Sequence, residues 1–183
     1  GKVNANSQIK PGTIEESYSL AVDFASRFFS VPVKGKKDLV IVSPGGYPKD
    51  LNLYQAQKAL EAGSKVLKPN GCIILAACCE EEIGNDAFFE YMKEFKNPLD
   101  LIKQFKTEPF QIGPHKAYIW AKRIVQNQVI LVSNLQANKT KYLMVQTENN
   151  LGSAIASLLS GFQDKVELGI MPHATTIMPD LLG

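Results

Sequence analysis

The chain has 183 residues, of which 45% are hydrophobic and 21% are charged, and this length and composition suit one globular domain with a buried core. The 20 Lys and Arg residues against 18 Asp and Glu leave a net charge of +2, too small to favour nucleic acid or a membrane surface as the main partner. No apolar run approaches the ~20 residues of a spanning helix, and the polar start has no signal-peptide core, so we expect a cytoplasmic protein.

The cysteines and histidines argue against a disulfide framework and against a metal site built by this chain. Cys72, Cys78 and Cys79 are odd in number and form no CxxC pair, so neither a disulfide scaffold nor a zinc ribbon is indicated. His115 and His173 are far apart in the sequence. We therefore predict no metal ligands in this chain.

The domain prediction divides the chain into a flexible lead-in or linker over residues 1–13 and a single α/β domain over 14–183. Apolar residues recur at helical spacing over 14–30, and Thr13 with Glu16 forms a capping box in front of them. The sequence therefore predicts a first helix over 14–30, which ends where Pro32 restricts the residue before it.

A buried strand, a helix and a second buried strand follow. Residues 39–42 are a continuous apolar run, which is typical of a parallel strand covered on both faces. Residues 52–67 have helical periodicity, with Asp50 or Asn52 as the cap. A turn is predicted at 68–71 and a second strand at 72–77.

The rest of the chain continues to alternate between the two periodicities. Helices are predicted over 86–95, 99–105, 115–125 and 151–162, and strands over 129–133, 142–145 and 166–170. This order predicts a three-layer α/β sandwich: a mostly parallel, Rossmann-like sheet of about five strands with helices on both faces.

A parallel sheet predicts where a ligand would bind. Ligands of such folds lie beyond the carboxyl ends of the strands. We therefore expect one rim to be formed by the segments 43–49, 79–84, 133–134, 146–147 and 171–175.

The turn after the first buried strand contains Gly45, Gly46 and Tyr47 and leads into a helix. Such a turn is a common way to present backbone N–H groups to an anion. It lacks the GxGxxG pattern of a dinucleotide site. The alternative is a purely structural turn in which glycine supplies positive φ.

Polar residues open two of the predicted helices. Tyr54 and Lys58 share one helical face with Gln55 beside it, and a lysine near a helix N-terminus opposes the macrodipole, which hints at an anionic partner. A solvated lysine is the alternative. His115 follows Gly113 and Pro114 and is either a site residue or a helix-capping histidine.

Three further side chains favour structural roles. Trp120 is expected in the core. Cys78 and Cys79 are expected to be packed thiols, because no histidine is adjacent in sequence to activate them.

Long sequence runs resemble a known family. GGYPKDLNLYQAQKAL at 45–60, preceded by DLVIVSP and followed by KPNGCIILAAC, resembles the carboxyl-terminal half of the nickel-dependent lactate racemase family. GPHKAYIWAKR at 113–123 and MPHATTIMP at 171–179 resemble its later segments. The resemblance covers most of the chain from Asp38 onward.

The resemblance implies a function and a cofactor. Members of the family racemise or epimerise 2-hydroxy acids with a nickel pincer nucleotide, passing a hydride to the cofactor and back. By this resemblance Tyr54, Gln55 and Lys58 bind substrate, with Lys58 pairing the substrate carboxylate. Gly45, Gly46, Tyr47 and His115 are the corresponding candidates for contacts with the cofactor.

The family's amino-terminal half supplies the lysine that tethers the cofactor, the nickel-binding histidine and the acid–base histidines, and none of that half is visible here. We therefore expect the carboxyl-terminal domain of a larger enzyme, with no catalytic residues of its own and no activity alone. Its expected partners are the amino-terminal domain and a small 2-hydroxy acid. The alternative is a stand-alone, non-catalytic α/β module that binds a nucleotide or small anion.

Overall fold

The computed structural model describes residues 12–163 and 165–182. This part of the chain forms eight α-helices, seven strands and a short 3₁₀-helix at Ala174–Thr176. In chain order they are α1 Ile14–Phe29, β1 Ser30–Lys34, β2 Lys37–Val42, α2 Leu53–Ala56, α3 Ala59–Lys65, β3 Leu67–Ala76, α4 Asp86–Lys93, α5 Pro98–Phe105, α6 Pro114–Gln126, β4 Gln128–Val132, α7 Ala137–Thr140, β5 Gln146–Glu148, α8 Leu151–Leu159, β6 Leu168–Met171 and β7 Met178–Leu182. None of the described helices has the length and apolarity needed to cross a membrane.

Five strands form one sheet in the order β5-β4-β3-β2-β6, and every neighbouring pair is parallel. The predicted parallel α/β fold with a five-stranded sheet is therefore confirmed. The sheet is parallel because a helical crossover separates each strand from the next, which returns the chain to the same end of the sheet.

Successive strand residues point to opposite faces of the sheet and enter two different cores. Val40, Val42 and Ile73 belong to the larger core, under α3, α4 and α6. Leu39, Ile41, Cys72, Ile74 and Ile130 belong to the smaller core, which Ala154 and Leu158 of α8 cover. Helices thus lie on both faces, which explains why the strands have continuous apolar runs.

The prediction of a single helix over 52–67 is wrong in one respect, because this segment forms two short helices, α2 and α3. α2 ends at Ala56 and α3 begins at Ala59, and the backbone N–H groups of Lys58 and Leu60 donate to carbonyls three residues back, those of Gln55 and Gln57. Bonds of this i to i+3 type tighten the chain into a 3₁₀-like turn. Lys58 therefore lies at the junction between two short helices.

The turn predicted at 68–71 lies inside β3, which begins at Leu67. Asn70 has φ +61°, and the register with β2 shifts between Lys37 and Leu39. The chain turns there, as the residue types indicate, but β3 pairs with β2 both before the irregularity, at Leu67, and after it, from Cys72 onward.

The strand predicted at 142–145 is wrong. Met144 has φ +56°, which is incompatible with extended backbone, and the strand in this region is Gln146–Glu148. Leu143 is buried because it packs under α6, where its carbonyl accepts a hydrogen bond of 2.9 Å from Trp120 Nε1. Burial of a short apolar run does not by itself specify a strand.

The two ends of the described chain pair with each other. β1 and β7 form a separate parallel pair, from Ser30 with Met178 to Lys34 with Leu182. The sequence predicted neither strand, because their pairing joins segments almost 150 residues apart. The predicted capping box of α1 is confirmed at Thr13 and Glu16, but α1 has no buried residue, and Phe28 is 67% exposed.

Candidate active-site rim

The loops at the carboxyl ends of β2, β3, β4 and β6 are joined by hydrogen bonds, as the rim prediction requires. Ser43 N donates to Met171 O over 2.9 Å, and Asn134 N donates to Cys78 O over 3.2 Å. Cys79 N donates to Asp50 O over 2.9 Å. The segment 146–147 is an exception, because it lies inside β5 and not beyond its end.

The glycine turn after β2 packs against the segment after β6. Gly45 has φ +114°, and a Cβ at this position would lie 2.8 Å from His173 Nδ1. Thr175 Oγ1 donates to Pro44 O over 2.6 Å. Gly45 is thus required both by its φ and by the close approach of His173.

The other side of this turn is open. A Cβ at Gly46 would meet nothing within 4 Å, although its φ is +75°. Tyr47 is 79% exposed. Among the described residues, the backbone N–H groups of Gly46 and Tyr47 have no hydrogen-bond partner. The turn therefore presents two N–H groups and one aromatic ring at the rim.

The first turn of α2, in contrast, has no backbone donor left for a ligand. Leu53 N donates to Glu82 O over 2.9 Å, and Tyr54 N donates to Ile83 O over 3.0 Å. Gln55 N donates to the capping side chain, Asn52 Oδ1, over 3.1 Å. Only side chains of this segment can bind an anion.

The three predicted substrate-binding side chains differ in environment. The Tyr54 ring is half-buried and meets Phe88 edge to face, with centroids 5.9 Å apart. Lys58 is exposed, and its Nζ donates to Gln55 Oε1. Gln55 thereby holds the ammonium of Lys58 near the start of α2.

The first turn of α6 lies beside the first turn of α4. Gly113, the N-cap of α6, has φ +99°, and a Cβ there would lie 2.7 Å from Ala87 Cβ. His115 Nδ1 accepts a hydrogen bond of 3.2 Å from Gly113 N. This bond supports the helix-capping role for His115. It also leaves Nε2 as the nitrogen that carries the proton in the neutral ring.

A groove of about 280 Å³ separates α3 from α6. Lys58 and Lys116 line it on the two sides, and Glu61 and Arg123, which form an ion pair, lie further along it. None of the ion pairs among the described residues includes Lys58 or Lys116. Burial lowers the pKa of Lys116 below its ordinary value, and repulsion by Lys58 lowers it further.

The sequence interpretation did not select Lys116 or His173 for a role at the site. Lys116 lies in the first turn of α6. A lysine there opposes the helix macrodipole, which is the same reason for which Lys58 was selected. The rim prediction places the segments 43–49 and 171–175 on the same edge of the sheet, but the direct contact of His173 with Gly45 depends on β6 lying next to β2.

The structural side chains are placed as predicted. Trp120 is fully buried. Cys79 is buried, and desolvation raises the pKa of its thiol to about 12, so it is not a nucleophile at neutral pH. Cys78 is half-buried, and its Sγ lies 3.3 Å from Asn134 Nδ2.

The donor set of the described residues does not fit a nickel ion. No group of three or more His, Cys, Asp or Glu side chains in this part of the chain could hold a metal. Residues at the rim offer instead N–H groups, an aromatic ring and lysines, which suit an anionic or aromatic part of a ligand.

Comparison with known proteins agrees with the runs noted in the sequence. The model of the lactate racemase C-terminal domain family matches residues 33–178. A lactate racemase of Thermoanaerobacterium thermosaccharolyticum is 29% identical over 174 residues, which cover 91% of this chain and 40% of that protein. A lactate racemase of Lactiplantibacillus plantarum is 32% identical over 130 residues, 68% of this chain and 30% of that protein.

Solved structures show the same fold. The lactate racemase apoprotein of Thermoanaerobacterium thermosaccharolyticum superimposes with a TM-score of 0.82 at 26% identity, over 91% of this chain and 40% of that one. A protein of Thermotoga maritima with 17% identity shares the fold, with a TM-score of 0.63 over 92% of this chain and 42% of that one. This chain therefore belongs to the lactate racemase C-terminal domain family.

Proposed function

We propose that this domain contributes the substrate-binding wall of an enzyme that racemises or epimerises a 2-hydroxy acid, at a cleft shared with an amino-terminal domain. The chain spans 40% and 30% of the two lactate racemases that it matches, so most of the catalytic machinery of such an enzyme would lie outside these residues. Cytoplasmic residence remains part of this proposal.

The observation that carries the proposal is the state of Lys58. Its ammonium is exposed, is held by Gln55 Oε1, and has no carboxylate partner among the described residues. An ammonium in this state can form a charge-assisted hydrogen bond with a substrate carboxylate, and closure of a second domain would strengthen that bond by excluding water.

Tyr54 and Gln55 would orient the acid that Lys58 binds. The Tyr54 ring is fixed against Phe88, so its hydroxyl is a donor or acceptor at a defined position. Gln55 Oε1 already accepts from Lys58, which leaves its amide group free to donate to a second oxygen of the acid.

Gly45, Gly46, Tyr47 and His115 are the proposed contacts with the nickel pincer nucleotide. The open N–H groups of Gly46 and Tyr47 and the exposed Tyr47 ring support this assignment. Residues outside this domain would ligate the nickel and carry out the proton and hydride transfers.

The first test measures turnover. The 183-residue chain alone is incubated with one enantiomer of lactate, and the other enantiomer is quantified by chiral chromatography. We expect no conversion, because the described residues include no metal site. Conversion by the chain alone would refute the assignment of catalysis to another domain.

The second test compares two lysines in the full-length protein that contains this chain. Lys58→Met is expected to weaken lactate binding about tenfold or more, since a hydrogen bond to a charged group contributes ~1.5–3 kcal/mol. Lys65→Met, at the exposed end of α3, is the control and should bind as the unchanged protein does. Equal affinities for the two variants would contradict the proposed role of Lys58. Binding of small anions without any turnover by the full-length protein would instead favour the non-catalytic module.

A further inference from the structure

The groove between α3 and α6 contains more charge and more space than the binding of one lactate carboxylate by Lys58 requires. Lys116 lies across the groove from Lys58, close enough for the two ammonium groups to repel each other. Holding the exposed ammonium of Lys58 and the half-buried one of Lys116 in the same groove is unfavourable unless a ligand of opposite charge binds there.

The groove continues past the two lysines into an apolar section. Leu60 and Trp120 are buried beneath it, and Ile119 is partly exposed along its wall. Its volume of about 280 Å³ is many times the ~10–15 Å³ that one water occupies on this measure. There is room beyond the lysines for several carbon atoms.

A buried polar atom in the same groove lacks a partner. Gln57 lines the groove and is 4% exposed, and its Oε1 has no hydrogen-bond partner within the described parts of the chain. A buried carbonyl oxygen without a donor is unfavourable. This acceptor therefore points, independently of the lysines, to a ligand in the groove.

We propose that Lys116 binds the substrate carboxylate together with Lys58, and that the groove between α3 and α6 receives the side chain of a 2-hydroxy acid longer than lactate. This inference rests on the proposed function, since it extends the same site. It assigns the carboxylate to the two lysines, the apolar carbons to Leu60, Ile119 and Trp120, and a donor on the acid's side chain, where it has one, to Gln57 Oε1.

The experiment measures binding by isothermal titration calorimetry in the full-length protein that contains this chain. The probes are lactate, 2-hydroxy-4-methylpentanoate and inorganic phosphate. The unchanged protein is expected to bind the longer acid about tenfold more tightly than lactate, because its three additional carbons leave water. Equal affinities for the two acids would overturn the assignment of the groove to the side chain.

Two variants separate the parts of the proposal. Lys116→Gln is expected to weaken the binding of both acids about tenfold, as the loss of a charge-assisted bond does. Ile119→Trp, which adds bulk at the groove wall, should remove the preference for the longer acid, so that this variant binds the two acids with equal affinity. Lys122→Gln is the control. Lys122 is exposed on the same helix, α6, and does not line the groove, so this variant should bind both acids normally.

The outcomes also distinguish this inference from the proposed function. If Lys58→Met weakens lactate binding while Lys116→Gln does not, the inference fails and the proposed function stands. If Lys58→Met has no effect, the proposed function fails as well. If Lys116→Gln loses affinity for phosphate but binds both acids normally, the groove is a phosphate site and the inference is overturned. Urea denaturation of each variant checks that its fold is intact.

Discussion

Gly84 supports the part of the rim that carries Lys58, and its replacement by alanine should destabilise the domain. Gly84 has φ +78°, and a Cβ there would lie 2.1 Å from Asn52 Cγ, 2.4 Å from its Nδ2 and 2.5 Å from its Cβ. Asn52 is buried and caps α2 by accepting from Gln55 N. The added methyl group must therefore displace the whole cap.

The expected change in the free energy of unfolding of Gly84→Ala is the sum of three contributions. Loss of an asparagine cap costs about 1 kcal/mol, and a left-handed alanine costs ~1–2 kcal/mol. The less flexible unfolded chain returns ~0.4–1 kcal/mol. Gly84→Ala should thus lower the free energy of unfolding by about 2 kcal/mol, before any cost of moving neighbouring backbone.

Gly35 provides the matched control. Its φ is +64°, but a Cβ there would meet nothing within 4 Å, so Gly35→Ala should cost about 1 kcal/mol or less, from the backbone alone. Urea unfolding followed by the fluorescence of Trp120, the only tryptophan in the chain, measures both variants. In an Asn52→Gly background the cost of Gly84→Ala should fall to that of the control. The reasoning is refuted if Gly84→Ala and Gly35→Ala lose the same stability in the unchanged background.

Two further predictions concern titration. Burial raises the pKa of the Cys79 thiol to about 12, so native protein at pH 8 should react with a thiol reagent at Cys78 and not at Cys79. Mass spectrometry locates the label. Labelling of Cys79 at a rate comparable to that of Cys78 would contradict its burial. Hydrogen bonds from Glu167 N and from Lys68 lower the pKa of Asp38 below its ordinary 3.8, so its stabilising effect is complete above the unfolded-state pKa and is lost as pH falls through the folded-state value. The stability difference between the unchanged protein and Asp38→Asn should therefore be constant from pH 7 to about 5 and shrink below pH 4, and a difference that grows on acidification would reverse the assigned sign.

Periodicity predicted the elements that depend on local sequence. The continuous apolar runs of β2, β3 and β4 and the capping box of α1 are detectable within a few residues, and each was found close to its expected position. The order of these elements along the chain also determined that the sheet is parallel, because each crossover contains a helix. The family was identifiable from the runs at 45–60 and 113–123.

Contacts between distant segments were not predictable in the same way. The pairing of β1 with β7, the approach of His173 to Gly45 and the burial of Leu143 under Trp120 all join residues far apart in the sequence. Each depends on how separate segments of the chain pack together in three dimensions, which periodicity does not encode.

The candidate site shows the same division. The sequence by itself determined that Tyr54, Gln55 and Lys58 lie near a helix start, because their spacing is local. Only the tertiary structure placed Lys116 across a groove from Lys58 and left Gln57 Oε1 buried beside it without a partner. The physical reason is that repulsion between two lysines and desolvation of an amide arise only once α3 and α6 pack against the same sheet.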